Sequence, residues 1–357
     1  MKVLVTGGAG FIGSHIVDAL ATRGDDVVCL DSLDAGVHEG PPAYIRTDVD
    51  NIFEDLRCWD PGANIRDVEA VVHLAALGGV GRAAREPANL IDANCRGTAR
   101  LVEKIRGWPR LKHVVLAGSF SVYGSNYTYE CPFCAWCFNG ARRAEDLAAG
   151  RWEVYCPDCG GEARVIPIAE DATPAPLEAY GASKYVQEQC FSGFDRCPVN
   201  VLRFSSVYGD RLRLDDGEAT IIARMAGWIR AGRRPPLFED GRQLRDWVWV
   251  GDIVDAALRI VDGAKAPPIV NVCSGIGTRL TEACRLIANA MNVTCEPEIV
   301  GGYRAGDMRH CLGDPSELRG LLGRAPVPFS EGAAMAFGQA PIREWLKTTP
   351  TMMATPA

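Results

Sequence analysis

The first thirteen residues limit the folds open to this chain more than any other stretch. Met1-Lys2-Val3-Leu4-Val5-Thr6 is a short apolar run, Gly7-Gly8-Ala9-Gly10-Phe11-Ile12-Gly13 follows at once, and a helical pattern begins there. The order predicts a strand, a tight turn and a helix N-terminus. Gly7 lets the strand turn sharply, Gly10 leaves bare backbone for a pyrophosphate, and Gly13 lets the helix pack close on the strand. Phe11 and Ile12 lie at the helix start, whose unpaired N–H groups and partial positive charge suit phosphates. Three glycines alone say little, since glycines punctuate many loops. Here the next strand, Asp26-Val27-Val28-Cys29-Leu30-Asp31, ends in a carboxylate placed to take ribose hydroxyls. Asp31 would also repel a 2′-phosphate, so the expected cofactor is NAD and not NADP. A glycine turn in an unrelated α/β protein is the alternative.

With 357 residues, 47% hydrophobic and 23% charged, the chain has an ordinary globular composition and room for one large domain or two modest ones. The net charge is −7 and no basic run is long, which argues against a nucleic-acid partner. Met1-Lys2-Val3 runs straight into a strand and leaves no room for a signal peptide. No apolar run reaches membrane-spanning length. The expectation is a cytoplasmic protein without a membrane partner. Among 14 cysteines, Cys29, Cys58, Cys95, Cys190, Cys273 and Cys284 stand singly in apolar patterns and read as small buried hydrophobes. Five crowd between Cys131 and Cys159.

Strand and helix patterns alternate through residue 122. Tyr44-Ile45-Arg46-Thr47-Asp48-Val49 reads as a third strand, whose Asp48 and Val49 would meet an adenine ring, with a helix N-cap as the alternative for Asp48. Ala70-Val71-Val72-His73-Leu74-Ala75-Ala76 is a buried strand ending in small residues that let a cofactor ring approach; His73 reads as a core histidine. From Pro87 to Arg106 a helical apolar spacing runs through Leu90, Ala93, Gly97, Leu101 and Ile105. It suits a dimer contact, and core packing explains it equally. His113–Ser119 is the next strand. Tyr180-Gly181-Ala182-Ser183-Lys184 then opens a helix and puts Tyr180 and Lys184 on one face. An ammonium beside a phenol favours the phenolate, which could serve as a base near neutral pH, and Ser119 would hydrogen-bond the same substrate oxygen.

These residues, in this order, resemble the extended short-chain dehydrogenase/reductase family, the nucleotide-sugar epimerases and dehydratases. The resemblance covers nearly the whole chain. It includes His73-Leu74-Ala75-Ala76, Asn94-Cys95-Arg96-Gly97-Thr98, Ser119-Phe120-Ser121-Val122-Tyr123-Gly124 and Leu202-Arg203-Phe204-Ser205-Ser206-Val207-Tyr208-Gly209. It continues through Gln243 to Asp252 and Arg304-Ala305-Gly306-Asp307-Met308-Arg309-His310. It implies an α/β fold: a Rossmann-type doubly wound parallel sheet with a smaller interleaved α/β substrate lobe. It also implies catalysis by Ser119, Tyr180 and Lys184, NAD contacts that include Asn94, and a nucleotide-diphosphate sugar held by Ser119, Ser121, Ser206, Asp307 and the arginines Arg245 and Arg304. A bidentate guanidinium suits a diphosphate; a surface ion pair is the alternative for each arginine. The family usually has Asn where this chain has Ser206, so that contact is altered.

Between Tyr123 and Tyr180 the family has a much shorter connection. Here Cys131-Pro132-Phe133-Cys134 and Cys156-Pro157-Asp158-Cys159 form two knuckles spaced as in a zinc ribbon. Four thiolates from Cys131, Cys134, Cys156 and Cys159 would close the shell of a structural zinc, with Cys137 a bystander. Free thiols or a redox pair are the alternatives. The insert has little apolar content, so it should need metal to order, and its place in the sequence suggests a cover over the substrate mouth. With Phe238-Glu239-Asp240-Gly241-Arg242-Gln243 and Tyr303 to Cys311, it resembles one subgroup, the bacterial dTDP-L-rhamnose 4-epimerase type.

The expected division is residues 1–128 and 162–205 for the NAD domain and 129–161 for the insert. Residues 206–347 are expected to be mainly the substrate lobe, with segments around 240–262 returning to the NAD domain, and 348–357 a tail. Ala219–Arg230, the strand Ile269–Val272 and Leu280–Met291 are assigned to the lobe. A homodimer is expected through the Pro87–Arg106 and Tyr180–Arg196 helices. The expected chemistry is C4 epimerisation through a transient ketone. A 4,6-dehydratase would need an extra acid and base; the dehydratases that this chain resembles place Asp-Glu just after the catalytic Ser or Thr, where this chain has Phe120-Ser121, and another NAD-dependent oxidoreductase of nucleotide sugars is a further alternative. An NAD-binding regulator would have no need of Ser119, Tyr180 and Lys184 together.

Overall fold

The computed structural model of the chain describes residues 1–62, 65–140, 142–214, 220–304 and 307–338. The strands in chain order are β1 (Lys2–Thr6), β2 (Asp26–Leu30), β3 (Asp50–Ile52), β4 (Ala70–His73), β5 (His113–Ser119), β6 (Thr128–Cys131), β7 (Trp136–Asn139) and β8 (Arg164–Val165). They continue with β9 (Val199–Phe204), β10 (Ser206–Tyr208), β11 (Pro236–Leu237), β12 (Leu244–Trp249), β13 (Ile269–Val272), β14 (Gly277–Arg279) and β15 (Glu298–Ile299). Seven form one parallel sheet in the order β13-β9-β5-β4-β1-β2-β3. β1 lies between β2 and β4, with Val5 opposite Cys29 and Val72. A strand buried on both faces must be apolar on both, and Val3-Leu4-Val5 is fully buried.

The helices Phe11–Thr22, Val250–Val261 and Ser316–Leu322 bury Ile16, Leu20, Ile253, Ile260 and Leu318 on one face of the sheet. Gly97–Ile105 packs Leu101 and Ile105 on the other, with Trp108, Phe191 and Phe194. Order reverses between β1 and β4, the switch point where a doubly wound sheet opens a crevice at its carboxyl ends. A second core, around Tyr208, Met225, Trp247 and Phe329, joins the helices Ile221–Arg230, Leu280–Ala290 and Phe329–Phe337 to the small sheet β10-β12-β14. No helix among the described residues is long and apolar enough to cross a membrane.

Four expectations change. The third strand is Asp50–Ile52, which begins only where the expected run Tyr44–Val49 ends. Arg46 instead pairs with Asp48 at 2.8 and 2.5 Å, two residues along, and that contact keeps the segment local. Ile269–Val272 is the outermost strand of the main sheet beside β9 and not part of the lobe, so the returning segment extends beyond 262, and Ser316–Leu322 returns as well. The Pro87–Arg106 helix contains a π-turn, Asp92–Arg96, between Pro87–Ile91 and Gly97–Ile105. Its apolar stripe turns inward, with Leu90, Leu101 and Ile105 fully buried. Finally, the insert has an apolar anchor: its Tyr129 and Val154 pack with Ala163, Tyr127, Phe120, Val122 and Tyr123 at the end of β5. The expected tail, 348–357, lies outside the described residues, as do 339–347 of the expected lobe, Ala219, Ala305 and Gly306.

Candidate active site

Two adjoining cavities open at the carboxyl ends of β1, β4 and β5. The first, about 450 Å³, is lined by Gly7, Gly10, Phe11, Ile12, Gly13, Asp31, Leu74, Ala75, Ala76, Tyr180 and Lys184. The second, about 880 Å³, is lined by Ser119, Ser121, Ser206, Arg245, Arg304 and Asp307. Phe11, Ile12, Gly118, Tyr180, Phe204, Leu212 and Thr220 belong to both walls.

The glycine turn has the shape its sequence calls for. Gly7 has φ +71°, and a Cβ there would lie 2.7 Å from the Ala75 backbone nitrogen. A Cβ on Gly13 would overlap the Gly7 carbonyl oxygen, so the helix can approach β1 only at a glycine. A Cβ on Gly10 meets one atom, the Gly7 carbonyl oxygen at 3.2 Å, and otherwise faces open space. Gly10 caps the helix with no side chain over the first amides. The cradle therefore fits a pyrophosphate. Asp31 accepts from the amides of Ala9 at 3.0 Å and Leu33 at 2.9 Å, which hold its carboxylate at the cavity edge.

Three expected cofactor residues stand elsewhere. Asp48 is exposed and taken up by Arg46, and neither Asp48 nor Val49 lines the cavity; Asp55 and Leu56, after the true third strand, do. Asn94 is fully buried beneath the wall. Its amide donates to the Leu77 carbonyl (3.0 Å) and Ser183 Oγ (2.9 Å), and its Oδ1 accepts from the Leu77 amide at 2.7 Å. With both ends engaged, Asn94 fixes the loop after β4 and does not face the cavity. Below it His73 is a core residue, bonded to Thr6 at 2.6 Å and Thr98 at 2.8 Å, and burial holds its pKa down near 3.

Tyr180 and Lys184 lie on the helix Ala179–Cys190, whose N-cap Glu178 accepts from the amides of Tyr180 (2.7 Å) and Gly181 (2.9 Å). Lys184 is buried and donates to the Ala117 carbonyl at 2.9 Å. Burial brings its pKa down to about 8. Burial also pushes the Tyr180 phenol up to about 12, while a hydrogen bond with Ser119 acts the other way. Burial thus opposes the expected phenolate, which the ammonium of Lys184 and the positive charge of a nicotinamide ring would favour. Ser119 Oγ accepts from the Ser121 amide at 3.1 Å, which leaves its proton available to a substrate oxygen or to Tyr180.

In the second cavity Arg245 is braced against backbone, donating to the carbonyls of Leu244 (2.8 Å), Arg309 (3.0 Å) and Met308 (3.3 Å). Arg304 is exposed and lies 5.4 Å from the Phe238 ring centroid. Arg224 and Tyr127, which the sequence reading does not single out, also line this cavity. Arg224 stacks on Trp228, four residues along the helix Ile221–Arg230, a spacing that could have signalled it. Tyr127 Oη and Ser205 Oγ are buried with no hydrogen-bond partner among the described residues.

In the insert, the sulfurs of Cys131, Cys134, Cys156 and Cys159 lie within 4.8 Å of one another, Cys131 and Cys159 being 3.6 Å apart. Desolvation raises the Cys131 thiol, but the amides of Cys134 and Phe133 and the neighbouring thiols bring it to about 7. Cys137 stands outside the group. No described residue of 129–161 is among those lining the second cavity, so the expected cover over its mouth is not found among the described residues.

Comparison with known proteins follows the same lines. A dTDP-L-rhamnose 4-epimerase from Burkholderia thailandensis is 30% identical over 335 residues, 91% of this chain and 90% of that protein. A UDP-glucose 4-epimerase from Mycolicibacterium smegmatis is 30% identical, over 94% of this chain and 96% of that protein. Among solved structures, the UDP-glucose 4-epimerase of Thermotoga maritima with UDP-glucose superposes with a TM-score of 0.73 at 27% identity, covering 94% of this chain and 97% of that one. The Thermus thermophilus UDP-glucose 4-epimerase in complex with NAD gives 0.71 at 26% identity, covering 98% and 100%. The profile described as the NAD dependent epimerase/dehydratase family matches residues 3–135 and 153–273, and the chain belongs to that family.

Proposed function

We propose that this chain is an NAD-dependent epimerase that inverts C4 of a nucleotide-diphosphate sugar, with a dTDP-6-deoxyhexose of the dTDP-L-rhamnose kind as its first candidate substrate. One observation carries the reading: Tyr180 lies in the wall shared by a phosphate cradle edged by Asp31 and a larger cavity edged by Arg224, Arg245 and Arg304. The Gly7–Gly13 turn, Asp31 and Lys184 would hold NAD, which would take the C4 hydrogen as hydride and return it, and whose charged ring would favour the ionised phenol. Tyr180 takes the proton from the C4 hydroxyl, and Ser119 donates to the same oxygen and polarises the carbonyl that forms. The ketone turns over in the larger cavity, regains hydride on its other face and takes its proton back from Tyr180. Phe120 and Ser121 offer no titratable pair for a dehydration.

The test is incubation with dTDP-L-rhamnose in deuterated water without added NAD, read by proton NMR. A new 4-epimer free of deuterium is expected. No conversion of it, nor of UDP-, GDP- and CDP-sugars, would sink the epimerase reading; a 4-keto product with loss of the C5 hydrogen would replace it by a dehydratase.

The four insert cysteines form a closed all-sulfur set, which suits zinc in a structural and not a catalytic role. The expected metal content of the purified protein is about one zinc per chain, falling to none with Cys131→Ser and Cys156→Ser together. A zinc-free wild type, prepared without chelator, would remove this part of the proposal. A homodimer is the proposed assembly, with Ile91 and Val186 as exposed apolar residues on the two helices concerned.

A further inference from the structure

Three stretches carry charged side chains that the chemistry above leaves unused: the insert, Phe238–Gln243, and Arg309-His310 beyond the cavity-lining Arg304 and Asp307. They meet in one buried network. Arg142, from the insert, donates to Glu239 Oε1 at 2.7 Å, to the Trp152 carbonyl at 3.2 Å and to the Asp307 carbonyl at 2.6 Å. The other oxygen of Glu239 accepts from Arg309 at 2.7 Å. Arg309 also pairs with Asp240 (2.8 Å) and with Glu153 of the insert. Glu153 reaches His310 Nε2 at 2.9 Å. Because His310 Nδ1 accepts from the Leu244 amide at 3.1 Å, Nε2 carries the proton and donates it to Glu153. The side chains of Arg142 and Glu239 are 4% exposed and that of Arg309 is 0% exposed. Glu239 adopts φ +56°, an unfavourable backbone for a glutamate, held by its amide donating to the Gly302 carbonyl at 2.8 Å.

The network surrounds Asp307–Cys311. From one side Arg245 holds the carbonyls of Met308 and Arg309, and the Cys311 amide donates to the Leu244 carbonyl at 3.1 Å. From the other, Arg142 holds the Asp307 carbonyl and Glu153 holds Arg309 and His310. Asp307, Met308 and Cys311 line the larger cavity. Residues 136–152, which the family profile leaves unmatched, contain Arg142.

We infer that Arg142 and Glu153 are positioning residues for the sugar pocket: through the Asp307 carbonyl, Arg309 and His310 they hold the Asp307–Cys311 wall in its substrate-binding form. The insert is then a buttress of the binding site. The inference rests on the epimerase reading for its kinetic test and on geometry alone for its structural one. An interaction made equally with bound substrate and transition state lowers KM without changing kcat. An interaction that leaves the cradle untouched does not alter NAD retention.

The experiment compares wild type with Arg142→Lys and with Arg142→Met combined with Glu239→Gln. The lysine keeps the buried charge but replaces the two donor nitrogens, which reach Glu239 and the Asp307 carbonyl, by one; the double variant removes both charges together, so neither leaves a new unpaired ion. Hydrogen exchange of the peptide spanning 307–311 should quicken in both, with bound NAD unchanged. KM for the nucleotide sugar that wild type converts should rise about tenfold while kcat stays within about twofold. Unchanged exchange, or unchanged KM in variants whose exchange has quickened, overturns the inference. So does a loss of NAD and kcat in both variants, which would mark a general structural role. A wild type that converts no nucleotide sugar overturns the epimerase reading itself, and the exchange of 307–311 alone then decides whether Arg142 holds that wall.

Discussion

Replacing Tyr180 by phenylalanine lowers kcat by about a thousandfold, the usual effect of losing a positioned acid–base group, and leaves NAD bound. Among the described residues that line both cavities, Tyr180 carries the one acid–base group, and its phenol meets Ser119. Its removal takes away no backbone contact, because the helix start is held by Glu178 through the amides of Tyr180 and Gly181. The variant should therefore unfold at the wild-type temperature and release the wild-type amount of NAD on acid precipitation. The pH profile gives a second signature. In the protein alone burial pushes the phenol up to about 12 and brings Lys184 down to about 8. The wild-type rate should climb with pH as the phenol ionises beside a filled cofactor site, and the residual rate of the variant should lack that limb. A Tyr180→Phe protein with at least about a tenth of the wild-type rate would mean that another group moves the proton.

The parts of the site that can be read directly from sequence are those whose chemistry demands a residue type at a local spacing. Gly7, Gly10 and Gly13 are one turn of backbone, and Tyr180 and Lys184 are one turn of helix. Each carries its geometry in its spacing, and each lines the cavity expected of it. Asp48 shows how this fails. Alternation over Tyr44–Val49 favours a strand, but the sheet takes only Asp50–Ile52, pairing Val28 with Asp50 and Leu30 with Ile52. A three-residue strand leaves almost no periodic signal, so nothing in the pattern points to Asp55 and Leu56, which line the cavity just beyond it. Asn94 fails differently: its position in a motif marks it as important without saying which atoms it touches, and a π-turn directs it to Leu77 and Ser183. The network of Arg142, Glu153, Glu239 and Arg309 has no local signature. Its bonds span 97 residues from Arg142 to Glu239 and 156 from Glu153 to Arg309, and only the folded chain brings them together.

The glycine turn yields the other large effect, because its last two glycines fail in different ways. Valine at Gly13 puts carbon into the space of the Gly7 carbonyl oxygen and against the Gly8 Cα, both rigid backbone between β1 and the first helix. No rotamer relieves that, so the helix must lift from a core that includes Ile16, Val17 and Leu20. Overpacking on this scale costs about 3 kcal/mol or more, and Gly13→Val should lower the unfolding temperature and abolish NAD retention together. The Cβ of a valine at Gly10 meets only the Gly7 carbonyl oxygen at 3.2 Å and otherwise faces open space at the cradle. It should fold nearly as well as wild type yet retain less than about a tenth of the NAD, since the phosphates need the bare backbone it covers. The two variants are compared by thermal unfolding and by the ultraviolet absorbance of nucleotide released on denaturation. If Gly10→Val keeps its NAD, the pyrophosphate does not lie over the helix N-terminus. If Gly13→Val unfolds at the wild-type temperature, the close approach of helix and strand is not what requires glycine there.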